Sequence, residues 1–253
     1  MTLTPEMLLI VCPLALLAGF IDAIAGGGGM ISLPAYYLAG LPPALASGTN
    51  KLSAMMGTTL ATVNFARAGK LAFKVGVPAA AGAFVASALG ALLMVSLPPR
   101  VVQILVLACI PVAAVFTLRG RKRRAPPKER TLAATRLISL AIGLGVGFYD
   151  GLIGPGTGTF LILLFLQVFA MEEVRASGTA KLVNLASNVA ALVSLICTGD
   201  VLYLLGLPAG LCAMLGAALG SRLTIRRGAG VVRAVMLVVL GLLLAKMLWD
   251  VLG

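Results

Sequence analysis

Apolar runs occupy this 253-residue chain almost from end to end, at about 6–25, 30–41, 45–66, 75–97, 101–118, 132–152, 158–170, 176–197, 201–220 and 231–251. A helix needs about 20 apolar residues to cross a bilayer, so the chain has room for roughly eight to ten membrane segments. With 60% hydrophobic and only 11% charged residues, against about 25% charged in a soluble domain, it cannot give a globule a polar coat. The reading is a single polytopic, all-α membrane domain. The opening MTLTPEMLLIVCPLALLAGF has no basic start and carries Glu6, so it reads as the first membrane helix rather than a cleaved signal.

The chain has no histidine, which removes an imidazole relay and a His-ligated metal. Cys12, Cys109, Cys197 and Cys212 lie far apart inside apolar runs and read as small buried hydrophobes. No triad-like set, P-loop or dinucleotide fingerprint appears. No enzyme activity, catalytic residue, metal or cofactor is expected.

The one true linker, RGRKRRAPPKER at 119–130, divides two halves that resemble each other. Gly19-Phe20-Ile21-Asp22 recurs as Gly147-Phe148-Tyr149-Asp150, with Gly26 and Gly28 matched by Gly154 and Gly156. Ala46-Ser47-Gly48-Thr49-Asn50-Lys51-Leu52 recurs as Ala176-Ser177-Gly178-Thr179-Ala180-Lys181-Leu182. The offsets, 128 and 130 residues, are nearly equal, which marks an internal duplication. The expected organisation is a first membrane repeat at 1–118, a basic linker at 119–131 and a second membrane repeat at 132–253.

The net charge of +12 comes from bases in the loops, where it sets membrane orientation and does not call for nucleic acid. The runs 30–41 and 158–170 are too short to cross. Each either completes a re-entrant hairpin with the helix before it or finishes one bent crossing. With hairpins, 16 Lys and Arg face one side against 2 on the other, leaving Lys51 and Lys181 in the membrane; with bent crossings the split is 12 against 6. The positive-inside rule favours hairpins. The halves are then inverted, each with a hairpin and three transmembrane helices, about eight full-length helices in all. Both termini lie outside and the linker is cytoplasmic. Tyr203 and Trp249 read as interfacial anchors.

The short runs follow glycine-rich breaks, Gly26-Gly27-Gly28-Gly29 and Gly154-Pro155-Gly156-Thr157-Gly158-Thr159. Irregular backbone survives at membrane depth only inside protein or along a wet cavity. A half-helix starting at Met30 and its counterpart after the second break aim free N–H groups and positive dipole ends into such a cavity, which suits an anion. The competing reading is close helix packing at small residues. Asp22 and Asp150, just before the breaks, either cap the half-helices, carry a coupling proton, or sit solvated at an interface. Lys51 and Lys181 either snorkel to the headgroups or face the cavity, meeting the anion or an aspartate. Lys181, Asn184 and Asn188 share one helix face, against Lys51, Ala54 and Thr58 in the first half.

At these residues the chain resembles the TauE/SafE family, in particular its YfcA-like branch. The resemblance rests on Gly19 to Gly29 with Pro34, on Ala46 to Leu52, on Gly147 to Gly151 with Gly154-Pro155, and on Ala180-Lys181-Leu182 with Asn184. It implies a transporter of the bacterial inner membrane, working without ATP, for small sulfur-containing or organic anions such as sulfite or sulfonates. Asn50 has no counterpart at Ala180, so that amide is not a shared ligand. The candidate substrate residues are Gly26, Gly27, Gly28, Gly29, Met30, Thr49, Asn50 and Lys51 from the first half. Gly154, Gly156, Thr157, Gly158, Thr159, Thr179, Lys181 and Asn184 come from the second. The expected function is secondary transport by alternating access around a midplane site; a passive anion channel and a non-transporting scaffold are the alternatives. The expected partners are a small anion and the lipid bilayer, with a homodimer as one possible assembly and no nucleic acid.

Overall fold

The computed structural model describes residues 3–102, 104, 105, 108 and 130–228. The 119–129 stretch of the linker, Cys109, most of the 101–118 run and the whole 231–251 run with Trp249 lie outside them. The described residues form eight helices: α1 (Pro5–Ala25), α2 (Gly29–Leu38), α3 (Pro43–Arg67), α4 (Phe73–Ser96), α5 (Leu132–Leu152), α6 (Thr157–Phe169), α7 (Glu173–Cys197) and α8 (Tyr203–Arg227). Among them α1, α4, α5, α7 and α8 are long and apolar enough to cross a membrane. Helix α3 is as long but far more polar, because it carries Asn50, Lys51, Ser53, Thr58 and Thr62, all buried.

Composition explains where each helix stops. Thr4 accepts the Met7 N–H and Pro5 sits in the first turn, so α1 starts there. It ends at Gly26, whose φ of 79° is the left-handed conformation that favours glycine. The chain then folds back along α1: a Cβ on Gly28 would lie 2.6 Å from the Ala18 carbonyl oxygen, and Ile31 packs on Ala18 and Ile21. In the second half, Gly154 and Gly156 both have positive φ. There the Phe160 ring at the start of α6 meets the Tyr149 ring edge-on, with centroids 5.4 Å apart.

Helices of one half pack mainly on helices of the other, and the contacts are reciprocal. Helix α1 lies on α8 as α5 lies on α4, α3 lies on α8 as α7 lies on α4, and α3 and α7 meet each other. The duplication shows residue by residue. Gly19 abuts the Ala213 backbone as Gly147 abuts Ala83, and Gly220 abuts the Phe20 carbonyl as Gly90 abuts Phe148. With no hydrophobic drive between helices in lipid, such glycine and alanine seams let backbones approach closely enough for dispersion to hold them. The outward faces of α4, α5 and α8 carry exposed Leu and Val, Leu89, Leu137 and Leu211 among them, as a lipid-facing surface requires.

Candidate functional site

The two breaks cross at the centre of the molecule. Gly26 and Gly158 touch backbone to backbone, with no room for a side chain on either. The Thr159 N–H donates to the Gly26 carbonyl at 3.2 Å, and Thr159 Oγ1 donates to the Ala25 carbonyl at 2.9 Å. Irregular backbone from one half thus satisfies that of the other.

Beside this crossing lies a cavity of about 50 Å³, room for on the order of three to five water-sized groups. The starts of both half-helices line it, Gly28 and Gly29 for α2, Thr157 and Gly158 for α6. Several N–H groups there already bond nearby carbonyls, Met30 to Gly27, Ile31 to Gly28, Thr157 to Gly154 and Thr159 to Gly26, while each helix start carries roughly half a positive charge. The amides of Asn50, Asn184 and Asn188 and the hydroxyls of Ser32, Ser53 and Thr58 complete a wall of neutral hydrogen-bonding groups. Asn50 is buried to 9% exposure, and its Oδ1 has no protein partner.

Four charges sit at this level, paired across the halves. Lys51 of α3 donates to Asp150 Oδ2 of α5 at 2.6 Å, and Lys181 of α7 donates to Asp22 Oδ2 of α1 at 2.7 Å. Both lysines are buried, and neither reaches the headgroups. The surroundings of the pairs differ. Asp150 also accepts from Ser187 Oγ and Thr157 Oγ1, each at 2.7 Å, and Lys51 donates to Asn188 Oδ1 at 3.1 Å. Among the described residues Asp22 has Lys181 as its one side-chain donor. Its side chain is 18% exposed and lines the cavity, while Lys181 stands behind it at 0%.

Of the candidate residues, the structure brings Asp22, Gly26, Gly28, Gly29, Asn50, Lys51, Asp150, Gly154, Thr157, Gly158 and Asn184 to the cavity wall. It places Gly27, Met30, Gly156 and Thr159 in the breaks or the first turns after them, behind that wall. Thr49 and Thr179 lie elsewhere and join the halves. Thr49 Oγ1 accepts the Leu202 N–H at 2.9 Å, and Thr179 Oγ1 accepts the Ala72 N–H at 3.0 Å. Gly48 and Gly178 beside them leave no gap to the Asp200 and Lys70 carbonyls. The repeated Ser-Gly-Thr is therefore a packing staple, and only the lysine two residues on belongs to the charged centre. Ser187 escaped the sequence reading, although it shares the Asn184 face at i+3 and was findable there.

A duplicated bundle of apolar helices, crossing at broken helices with buried charges, is the architecture of a membrane transport protein. The chain belongs to the sulfite exporter TauE/SafE family, whose model matches residues 11–247. It is 38% identical over 243 residues to the "Probable membrane transporter protein ORF9" of Sinorhizobium sp, covering 93% of this chain and 90% of that one. With YfcA of Escherichia coli strain K12, also named a probable membrane transporter protein, it shares 36% over 248 residues, 98% and 91% of the two chains. A Haemophilus influenzae relative of the same description is 32% identical over 245 residues, 97% and 96% of the two chains. No solved structure matches the chain.

Proposed function

We propose that this protein is a secondary transporter of a small oxyanion, sulfite or an organosulfonate, with related sulfur-containing and carboxylate anions as the wider class. The observation that carries the reading is the cavity at the crossing. Two half-helix starts and three side-chain amides converge on a space sized for an anion with one central atom. Four charges, three of them buried, already neutralise one another there. Taking an anion from water into protein is costly unless oriented dipoles and donors replace its hydration, and this wall supplies them. Membership of the sulfite exporter family supports the sulfur oxyanion.

In this reading the halves are inverted repeats, each with a re-entrant hairpin. Alternating access is a rocking of one half against the other about the Gly26–Gly158 crossing, in the bacterial inner membrane. Both termini are periplasmic and the basic linker is cytoplasmic, as the 16-against-2 charge split favours. The test is a thermal-shift screen of detergent-solubilised protein with sulfite, thiosulfate, sulfoacetate, taurine, methanesulfonate and carboxylates, followed by uptake into proteoliposomes. One anion class should raise the melting temperature and show saturable flux. Flux that never saturates would instead make the protein a passive channel.

A further inference from the structure

We infer that Asp22 is the proton-carrying group of this protein, and that one proton binds and moves together with each monoanion. The inference rests on the anion cavity proposed above and assigns its coupling ion. Its geometric basis is the unequal setting of the two carboxylates. Asp150 has donors at both oxygens, Lys51 and Ser187 on Oδ2 and, on Oδ1, the Thr157 hydroxyl, whose one proton is shared with the Gly154 carbonyl at 2.6 Å. Among the described residues Asp22 has only Lys181 as a side-chain donor, on Oδ2 and from behind, and turns its 18% exposed side chain to the cavity.

The charge count then decides the coupling. With both aspartates ionised, the two lysines and two carboxylates sum to zero, and an arriving monoanion leaves the buried centre at −1 beside the Asp22 carboxylate. With Asp22 protonated the centre starts at +1 and the anion brings it to zero. Like charges at close range in a weakly polar interior repel strongly, so the anion and the proton each favour the binding of the other, reciprocally. Among the described residues that line the cavity, Lys51 and Asp150 are the ionisable ones besides Asp22. Of the helices packed on α1, α3 presents Lys51 and α7 presents Lys181, whereas α2, α6 and α8 line the cavity with Gly28, Ser32, Thr157, Gly158 and Ala213, none of them ionisable at neutral pH. Across the cavity stands Asp150, already held. The loaded carrier moves no net charge, so a pH gradient drives the monoanion and the membrane potential does not.

Methanesulfonate, whose charge does not change between pH 5 and 9, is the probe for a proton count on wild-type protein in weakly buffered detergent solution. The expected result is uptake of about one proton per anion bound, with affinity rising about tenfold for each pH unit lowered across the range where free Asp22 is ionised. Asp22→Asn should bind with no proton uptake and a flat pH profile. The double variant Asp22→Asn with Lys181→Met leaves no unpaired buried charge; its centre starts at zero, so it should bind more weakly but again take up no proton, and it serves if the single variant does not fold. Anion binding by wild type without proton uptake overturns the inference and leaves the anion site standing. The absence of binding by methanesulfonate and by every other anion of the screen overturns both.

Discussion

The two carboxylate–lysine pairs occupy equivalent positions in a duplicated chain, yet they are different chemical objects. Around Asp150 the second half has placed Thr157, Ser187 and Asn188. At the matching positions the first half has Gly29, Gly57 and Thr58, so among the described residues Asp22 keeps a single side-chain donor and an open side toward the cavity. The duplication supplied the scaffold twice; divergence at three positions made one pair a fixed strut and the other a group free to respond. A pseudo-symmetric fold can thus hold its geometry with one half and do its chemistry with the other.

The largest effect should come from the crossing on which both pairs depend. Gly158→Val forces a side chain into the Gly26 backbone, and Gly26→Val adds a disfavoured positive φ. Each should cost more than about 3 kcal/mol and show as loss of folded protein in size-exclusion profiles. Gly29→Ala meets only ordinary contacts, the nearest atom at 3.4 Å, and should fold normally.

Next come the pairs themselves. A double-mutant cycle on Lys51 and Asp150 should give a coupling of up to about 3 kcal/mol in thermal or denaturant unfolding. The half-open Asp22–Lys181 pair should give nearer 1 kcal/mol. Equal couplings would erase the distinction between strut and switch. Stripping Asp150 of its extra donors with Thr157→Val and Ser187→Ala should cost about 1–3 kcal/mol per lost bond and bring the coupling of the Lys51–Asp150 pair down toward that of the Asp22–Lys181 pair.

The smallest effects concern the staples. Thr49→Val and Thr179→Val each remove one bond between the halves and should cost about 1 kcal/mol without changing anion affinity. A loss of affinity would bring the Ser-Gly-Thr motif back to the site.

Much of this was legible in the residues. Hydropathy gave the helical membrane class, and the repeated Gly-Phe-x-Asp and Ser-Gly-Thr-x-Lys blocks revealed the two halves. The glycine runs located the breaks, because few other sequences interrupt an apolar helix so sharply. The pairing was out of reach. A sequence places Lys51 and Asp22 in one half, and nothing in the spacing says that each lysine reaches the carboxylate of the other half. That follows from how α3 and α7 meet across the crossing. The same limit applied to Thr49 and Thr179, whose partners, the Leu202 and Ala72 N–H groups, lie in the opposite half. Ala213 shows the limit from the other side, since it lines the cavity and nothing in an alanine announces a binding wall, whereas Ala54 stood on the Lys51 face in the sequence.

Ala54 also offers the most direct test of the account. It lies on the cavity wall of α3 without belonging to either ion pair, so Ala54→Leu fills the space while leaving the charges and the crossing intact. Isothermal titration with whichever anion of the screen binds the wild type should show affinity reduced at least about tenfold, ~1.4 kcal/mol, at a melting temperature close to that of the wild type. Unchanged affinity in a folded Ala54→Leu protein would mean that the anion binds elsewhere, and that the crossing of the two breaks is architecture alone.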